Sequence, residues 1–181
     1  MLKHKLSSPS KSFVYLSEDI IESSKQRINS DHLGSSVIIP HVCNNINLFG
    51  AGFAAYIANR FPIVKENFHL LGNKAKLGHV QYITVLKNPS YRHELIVANM
   101  IAQNKTIAKN NPRPLNYEYL MKSMIDIRNT VAGLQNSSEK NIEIHCPKFG
   151  SGLAGGNWQF IENLISDIWY NIPVYVYNPK Q

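Results

Sequence analysis

Acidic side chains are scarce in this 181-residue chain: 12 Asp and Glu stand against 19 Lys and Arg, a formal charge of +7. Cysteine is scarcer still, with only Cys43 and Cys146. Two thiols make no disulfide framework, and neither a CxxC pair nor any Cys/His ligand spacing occurs, so no metal site is expected. Both cysteines stand in apolar strand-like runs, where a small buried side chain is the expected role. No run of roughly 18 apolar residues occurs, so no membrane-spanning helix is expected. The first 12 residues, MLKHKLSSPSKS, carry positive charge without an apolar stretch. They are expected to form a flexible tail rather than a secretory signal, and a reducing cytoplasm is the expected compartment. Two nucleotide motifs are missing as well: GxxxxGK[ST], and GxGxxG followed by an acid.

The basic excess favours anionic partners. Lys74, Lys76, Lys87, Lys105, Lys109, Arg113 and Lys122 are scattered rather than clustered. Nucleic acid is therefore not expected as the main partner, and a small phosphorylated ligand remains. Hydrophobic residues make up 44% of the chain, enough for one core without covalent staples.

The patterning predicts one domain over residues 13–181. SFVYLS alternates as a short strand, and SEDIIESSKQRI offers a short helix with Ser17 as N-cap. SSVIIPHVC is a continuous apolar run, as a strand buried on both faces requires. A helix is expected over Ala51 to Arg60, and another opens at Pro62 and closes at Gly72. LGHVQYITVL and HELIVANMIAQ, joined by KNPSYR, predict a hairpin. After a polar loop over 104–114, Leu120, Met124, Ile127 and Val131 recur at helical spacing. NIEIHC predicts a strand, NWQFIENLISDIWY a helix and IPVYVYNP a last strand. Strands alternating with helices, one hairpin excepted, predict a three-layer α/β/α sandwich around a mixed, mostly parallel sheet.

Two glycine-rich turns carry the chemistry. NLFGAGFAAYI and KFGSGLAGGNW each follow an apolar strand and precede a helix. Gly50 and Gly52 in the first, and Gly150, Gly152, Gly155 and Gly156 in the second, let backbone N–H groups approach a ligand. N–H groups at a helix start, with the helix dipole behind them, favour an anion. Both turns are expected at strand carboxyl ends, where open α/β sheets bind ligands. Together they suit a diphosphate. The Asn44-Asn45 pair between strand and turn is more polar than a core requires.

In order along the chain, HVCNNINLFGAGFAAYIANRFP, LGHVQYI, IVANMIAQ, NYEYLMKSM and KFGSGLAGGNW resemble a macrodomain, closest to the branch of ADP-ribose 1″-phosphate phosphatases and ADP-ribosyl hydrolases. The resemblance implies a cleft for ADP-ribose or ADP-ribose 1″-phosphate, free or carried on a modified protein. A monomer and no cofactor are expected. Asp19, beside Ile20 in YLSEDII, falls where the family's acid reads the adenine amino group; Glu18 replaces the usual glycine. A helix-start acid is the alternative role for Asp19. Asn44 falls at the position facing the distal ribose, although a turn asparagine could equally hold its own backbone. Phe53 and Phe149 could pack on the ligand or in the core. Gly50, Ala51 and Gly52 of the first turn, and Gly150, Ser151, Gly152, Leu153 and Ala154 of the second, complete the implied ligand-binding set.

His41 matches a histidine of the phosphatase branch, which implies a general base assisted by Asn44. The alternative is a strand-end hydrogen bond. In the glutamyl hydrolase branch, a lysine and an aspartate stand where this chain has Gln103 and Ala154, so that chemistry is not expected. His32, His69, His79, His93 and His145 form no cluster in sequence and read as surface or packing residues.

Overall fold

Apolar runs set which strands lie deep in the molecule. The computed structural model describes residues 13–30, 34–138 and 141–178; the expected tail over residues 1–12 lies outside them. Among the described residues six strands form one sheet: β1 (Phe13–Leu16), β2 (Ser36–Asn44), β3 (Val80–Lys87), β4 (Glu94–Gln103), β5 (Ile142–Pro147) and β6 (Val174–Tyr177). Their spatial order is β1-β6-β5-β2-β4-β3. All neighbours are parallel except β3 and β4, the hairpin expected around KNPSYR.

The α-helices of the described residues cover the sheet: α1 (Ile20–Asn29), α2 (Gly52–Arg60), α3 (Pro62–Leu71), α4 (Tyr117–Ser138) and α5 (Trp158–Ile168). Successive residues of β2 serve opposite cores. Val37, Ile39 and Cys43 pack with α1, α2 and α3, while Ile38 packs with α4 and α5. In β4, Leu95, Val97 and Ile101 join the first core, and Ile96, Ala98 and Met100 the second. A strand covered on both faces has no polar side to present, hence its continuous apolar sequence. The result is a three-layer α/β/α sandwich. Leu120, Met124, Ile127 and Val131 form the buried stripe of α4, as their spacing predicts. Burying each such side chain contributes about 1.5–3 kcal/mol.

One helix start differs from expectation. The N-cap of α1 is Asp19, not Ser17: the Asp19 carboxylate accepts from the N–H groups of Ile21 and Glu22. The chain is still extended at Asp19, so the first free helical N–H groups lie out of reach of Ser17.

Two features open a crevice at the carboxyl ends of β2 and β5. These strands are neighbours, but α2 follows β2 on one face while α5 follows β5 on the other. Connections that leave in opposite directions leave a gap between them. Pairing of β2 with β5 is also confined to Ser36–Ile38 against Ile142–Ile144. Beyond it β2 carries Pro40, which has no N–H to give to a ladder. A register shift between Cys43 and Asn44, with Ala102 of β4 as the extra residue, then interrupts the β2–β4 ladder where β2 enters its loop.

Candidate functional site

The crevice holds two contiguous depressions. One, of about 490 Å³, lies beneath the two glycine loops and reaches His41, Cys43 and Asn44. The other, of about 550 Å³, is lined by Glu18, Asp19, Ile20, Tyr56 and Tyr177. They meet at Gly52, Phe53, Pro147 and Lys148, which line both. Each falls within the usual range of small-molecule sites.

Backbone donors face the first depression. Helix α2 begins after Ala51 with no side-chain cap, and Ala51, Gly52, Phe53 and Ala54 line the space. Its first-turn N–H groups are therefore without a capping side chain, at the positive end of the helix dipole. Gly52 has φ +54°, a backbone region that side chains disfavour. Across the cleft stand Gly150, Gly152, Leu153 and Ala154. Ser151 does not line either depression; its hydroxyl donates to the Lys148 carbonyl at 2.9 Å. Gly156 holds this loop down, since a Cβ there would lie 2.4 Å from Leu115 Cδ2 and 2.6 Å from the Gly150 carbonyl.

The asparagines brace the first loop. Asn44 Oδ1 accepts from the N–H groups of Ile46 and Leu48, each at 3.1 Å, and its Nδ2 donates to the Leu48 carbonyl at 2.6 Å. Its carboxamide is thus engaged by its own turn, the alternative role expected for it, while Asn44 also lines the first depression. Asn45 Oδ1 accepts from Lys105 N–H at 2.8 Å, tying the loop to residues after β4. Asn47, at φ 60°, donates to the His69 carbonyl and ties the loop to α3.

His41 is 1% exposed and lies edge-on to Phe49, with Phe53 also against it. Its Nε2 is 2.6 Å from Asn99 Oδ1. Burial lowers its pKa to about 4, against the weaker opposing effect of the Asn99 bond. His41 is therefore neutral at pH 7 and a weaker base than an ordinary imidazole. Cys43 Sγ lies 3.7 Å from His41 Nδ1, and burial raises the thiol pKa well above its ordinary value. Cys146 is buried too.

Asp19 has both expected roles open to it, but most of its acceptor capacity is taken. Besides capping α1 it accepts from the Tyr56 hydroxyl at 2.8 Å, and Arg60 lies 3.6 Å away. Burial would raise its pKa, yet hydrogen bonds from Tyr56, Glu22 N–H and Ile21 N–H, with Arg60 nearby, hold it below the usual value. Tyr56 correspondingly is pushed up to about 12, by burial first and then by Asp19. Ile20 is buried at the helix start. Phe149 is 3% exposed and packs on Trp158 and Trp169, so its main contacts are core contacts. Gln103 lines the cleft and donates to the Lys105 carbonyl.

Sequence reasoning did not single out Tyr56, Lys148, Tyr177 or Asn99. Lys148 was the most legible, standing immediately before Phe149 in the second glycine turn. It is exposed at the junction of the depressions, 5.5 Å from the Tyr15 ring centre. His145 is also more than packing. Its Nε2 meets Glu143 at 3.2 Å, and its Nδ1 meets Tyr177 at 2.9 Å and Ser24 at 3.0 Å. Among the described residues no cluster of three or more His, Cys, Asp or Glu side chains could hold a metal ion, and no helix is long and apolar enough to cross a membrane.

No family model matches the chain. It is similar to an uncharacterised 17.5 kDa protein of Enterobacteria phage T4, 28% identical over 134 residues, which spans 70% of this chain and 76% of that protein. It is also similar to an ADP-ribose 1″-phosphate phosphatase of Lodderomyces elongisporus, 24% identical over 144 residues, spanning 75% of this chain and 82% of that one. Among solved structures, a macrodomain protein from Streptomyces coelicolor matches with TM-score 0.66 and 28% identity, over 92% of this chain and 98% of that one. Thermosipho africanus DarTG, solved in complex with ADP-ribose, matches with TM-score 0.61 over 91% of this chain and 52% of that one; at 15% identity that likeness is one of fold.

Proposed function

We propose that the cleft of this macrodomain-like chain binds ADP-ribose and that the protein removes the 1″-phosphate from ADP-ribose 1″-phosphate. The observation that carries the binding proposal is the α2 start, without a capping side chain, facing a second glycine loop across the crevice. Those N–H groups suit a diphosphate. The depression beside Asp19 suits the adenine, whose amino group can donate to a carboxylate. The depression beside His41 suits the distal ribose. The phosphatase of Lodderomyces elongisporus supports the finer activity.

In that reaction water attacks phosphorus, the P–O bond to C1″ breaks, and inorganic phosphate and the 1″-hydroxyl leave. Backbone N–H groups of the loops would hold the phosphoryl oxygens. His41 is the imidazole that lines the cleft, and it would accept the proton of the attacking water. With its pKa near 4, turnover should fall below about pH 4 rather than near 6. The burial of His41 favours a second reading, a non-catalytic ADP-ribose reader. In either case the protein acts as a monomer in the cytoplasm, on free or protein-linked ADP-ribose, without a cofactor.

Calorimetric titration with ADP-ribose, paired with a phosphate-release assay on ADP-ribose 1″-phosphate, tests both readings. Saturable binding with phosphate release that falls roughly 10²–10⁴-fold in His41→Ala supports the phosphatase. Binding without release supports the reader. Absence of binding overturns both.

A further inference from the structure

Asn99 is 0% exposed, in a strand whose neighbouring residues on the same face, Val97 and Ile101, are core side chains. A buried carboxamide is costly unless its hydrogen bonds are made, and an apolar residue would fill the place without that cost. What Asn99 has instead is a set of partners in register. His41 on β2 pairs with Asn99 on β4, and Asn99 pairs with Gln81 on β3. Cross-strand partners share a face, so the three side chains form a row across the sheet.

The direction of the row is fixed at one end. Gln81 Nε2 is 2.9 Å from the backbone carbonyl of Asn67 on α3, and a carbonyl can only accept. Gln81 must therefore present its Oε1 to Asn99, whose Nδ2 donates to it at 3.0 Å. That leaves Asn99 Oδ1 facing His41 Nε2 at 2.6 Å, and this nitrogen must carry the proton. Rotating either amide would set donor against donor or acceptor against acceptor. The remaining nitrogen of His41, Nδ1, then has a lone pair, with the Cys43 thiol 3.7 Å away. Both His41 and Cys43 line the cleft.

We propose that Asn99, oriented by Gln81, is a positioning residue for His41: it holds the imidazole as the Nε2–H tautomer and leaves Nδ1 as the nitrogen that serves the ligand. The proposal rests on the reading of the cleft given above, in which His41 acts on what binds there. A backbone carbonyl on α3 thus decides, through two amides, which nitrogen of a cleft histidine is basic.

Imidazole ¹⁵N–¹H spectra of the labelled full-length protein test this directly, beside phosphate release. Wild type should show the proton on His41 Nε2, hydrogen-bonded and slow to exchange. Asn99→Asp should keep that tautomer and raise the titration midpoint of His41 by about one pH unit or more, because a carboxylate favours the charged imidazole. Asn99→Leu should remove the hydrogen-bonded character of Nε2–H and lower phosphate release roughly tenfold, a part of the 10²–10⁴-fold that a general base supplies. A wild-type proton on Nδ1 overturns the proposal. So does a folded Asn99→Leu with unchanged Nε2–H signal and turnover. If Asn99→Leu does not fold, an unchanged midpoint in Asn99→Asp overturns it alone. A wild type with the stated tautomer, lost in Asn99→Leu, but with no phosphate release overturns the phosphatase and leaves the positioning of His41 standing.

Discussion

Asp19 holds two backbone N–H groups on Oδ1 and the Tyr56 hydroxyl on Oδ2 before any ligand arrives. A test of adenine contact by Asp19→Ala would also remove the helix cap, which costs about 0.5–2 kcal/mol. Asp19→Asn separates the two roles, because Asn caps a helix about as well as Asp. Stability in urea should change little, while calorimetric affinity for ADP-ribose drops by about 1.5–3 kcal/mol, the range for a hydrogen bond to a charged group. Ribose 5-phosphate should bind as to wild type; equal losses for both ligands would place Asp19 in folding alone. His41 gives a second prediction, on stability. Its folded pKa, about 4, lies below the ordinary 6.5, so between those values the unfolded chain binds more protons. Stability from this group is therefore full above about pH 6.5 and is lost as pH falls toward 4. Between pH 7 and pH 5 the loss should be about 2 kcal/mol. Urea midpoints should show that drop in wild type and a smaller one in His41→Gln, where the buried His145, its pKa also lowered by burial, still contributes.

At the scale of elements, the start of α2 combines backbone strain with ligand contact at one residue. Gly52 has φ +54°, and a Cβ there would meet Leu153 Cδ1 at 3.8 Å, an ordinary contact. Gly52→Ala should therefore cost about 1–2 kcal/mol of stability through the backbone alone, without a clash. Gly52→Glu carries that same cost and adds a negative charge beside the proposed diphosphate site. ADP-ribose affinity should then be weaker in Gly52→Glu than in Gly52→Ala, by about 1.5 kcal/mol or more in calorimetry. Equal affinities for the two variants would remove the diphosphate from this loop.

At the scale of the molecule, a half-buried ionic link joins the first helix to the middle of the sheet. Arg27 of α1 donates to Glu143 of β5 through Nε at 2.9 Å and also through Nη2. Ser35 and His145 complete the carboxylate's shell. Burial would raise the Glu143 pKa, but hydrogen bonds from His145 and Arg27 hold it at about 2. This lowered carboxylate stabilises the fold above its ordinary 4.5, and that contribution is lost as pH falls toward 2. Arg27→Met would leave the Glu143 carboxylate without a cation that is itself 37% exposed, at a cost of about 1–3 kcal/mol. Chemical denaturation at pH 7 should show a loss of that size and a flatter acid limb below pH 4.5. A loss under about 1 kcal/mol would mean that water replaces the guanidinium.

The two glycine turns, the buried run of β2, the α4 stripe and the β3–β4 hairpin were legible because periodicity is local. Whether a side chain faces a core depends on its position relative to neighbours a few residues away, and those neighbours are written beside it. Hence the layers, the hairpin and the loops at strand ends follow from patterning alone. The polar side chains obey a different rule, since their state depends on whatever the fold brings against them. His41 is legible as a histidine at a strand end, but Asn99, 58 residues away, sets which nitrogen carries its proton. Asn44 matches a ligand position in the sequence, and the fold of the following turn engages its carboxamide with Ile46 and Leu48. Glu143 and Arg27, 116 residues apart, show no sign of each other in the chain. Burial and long-range hydrogen bonding govern pKa and tautomer, and only tertiary packing specifies either.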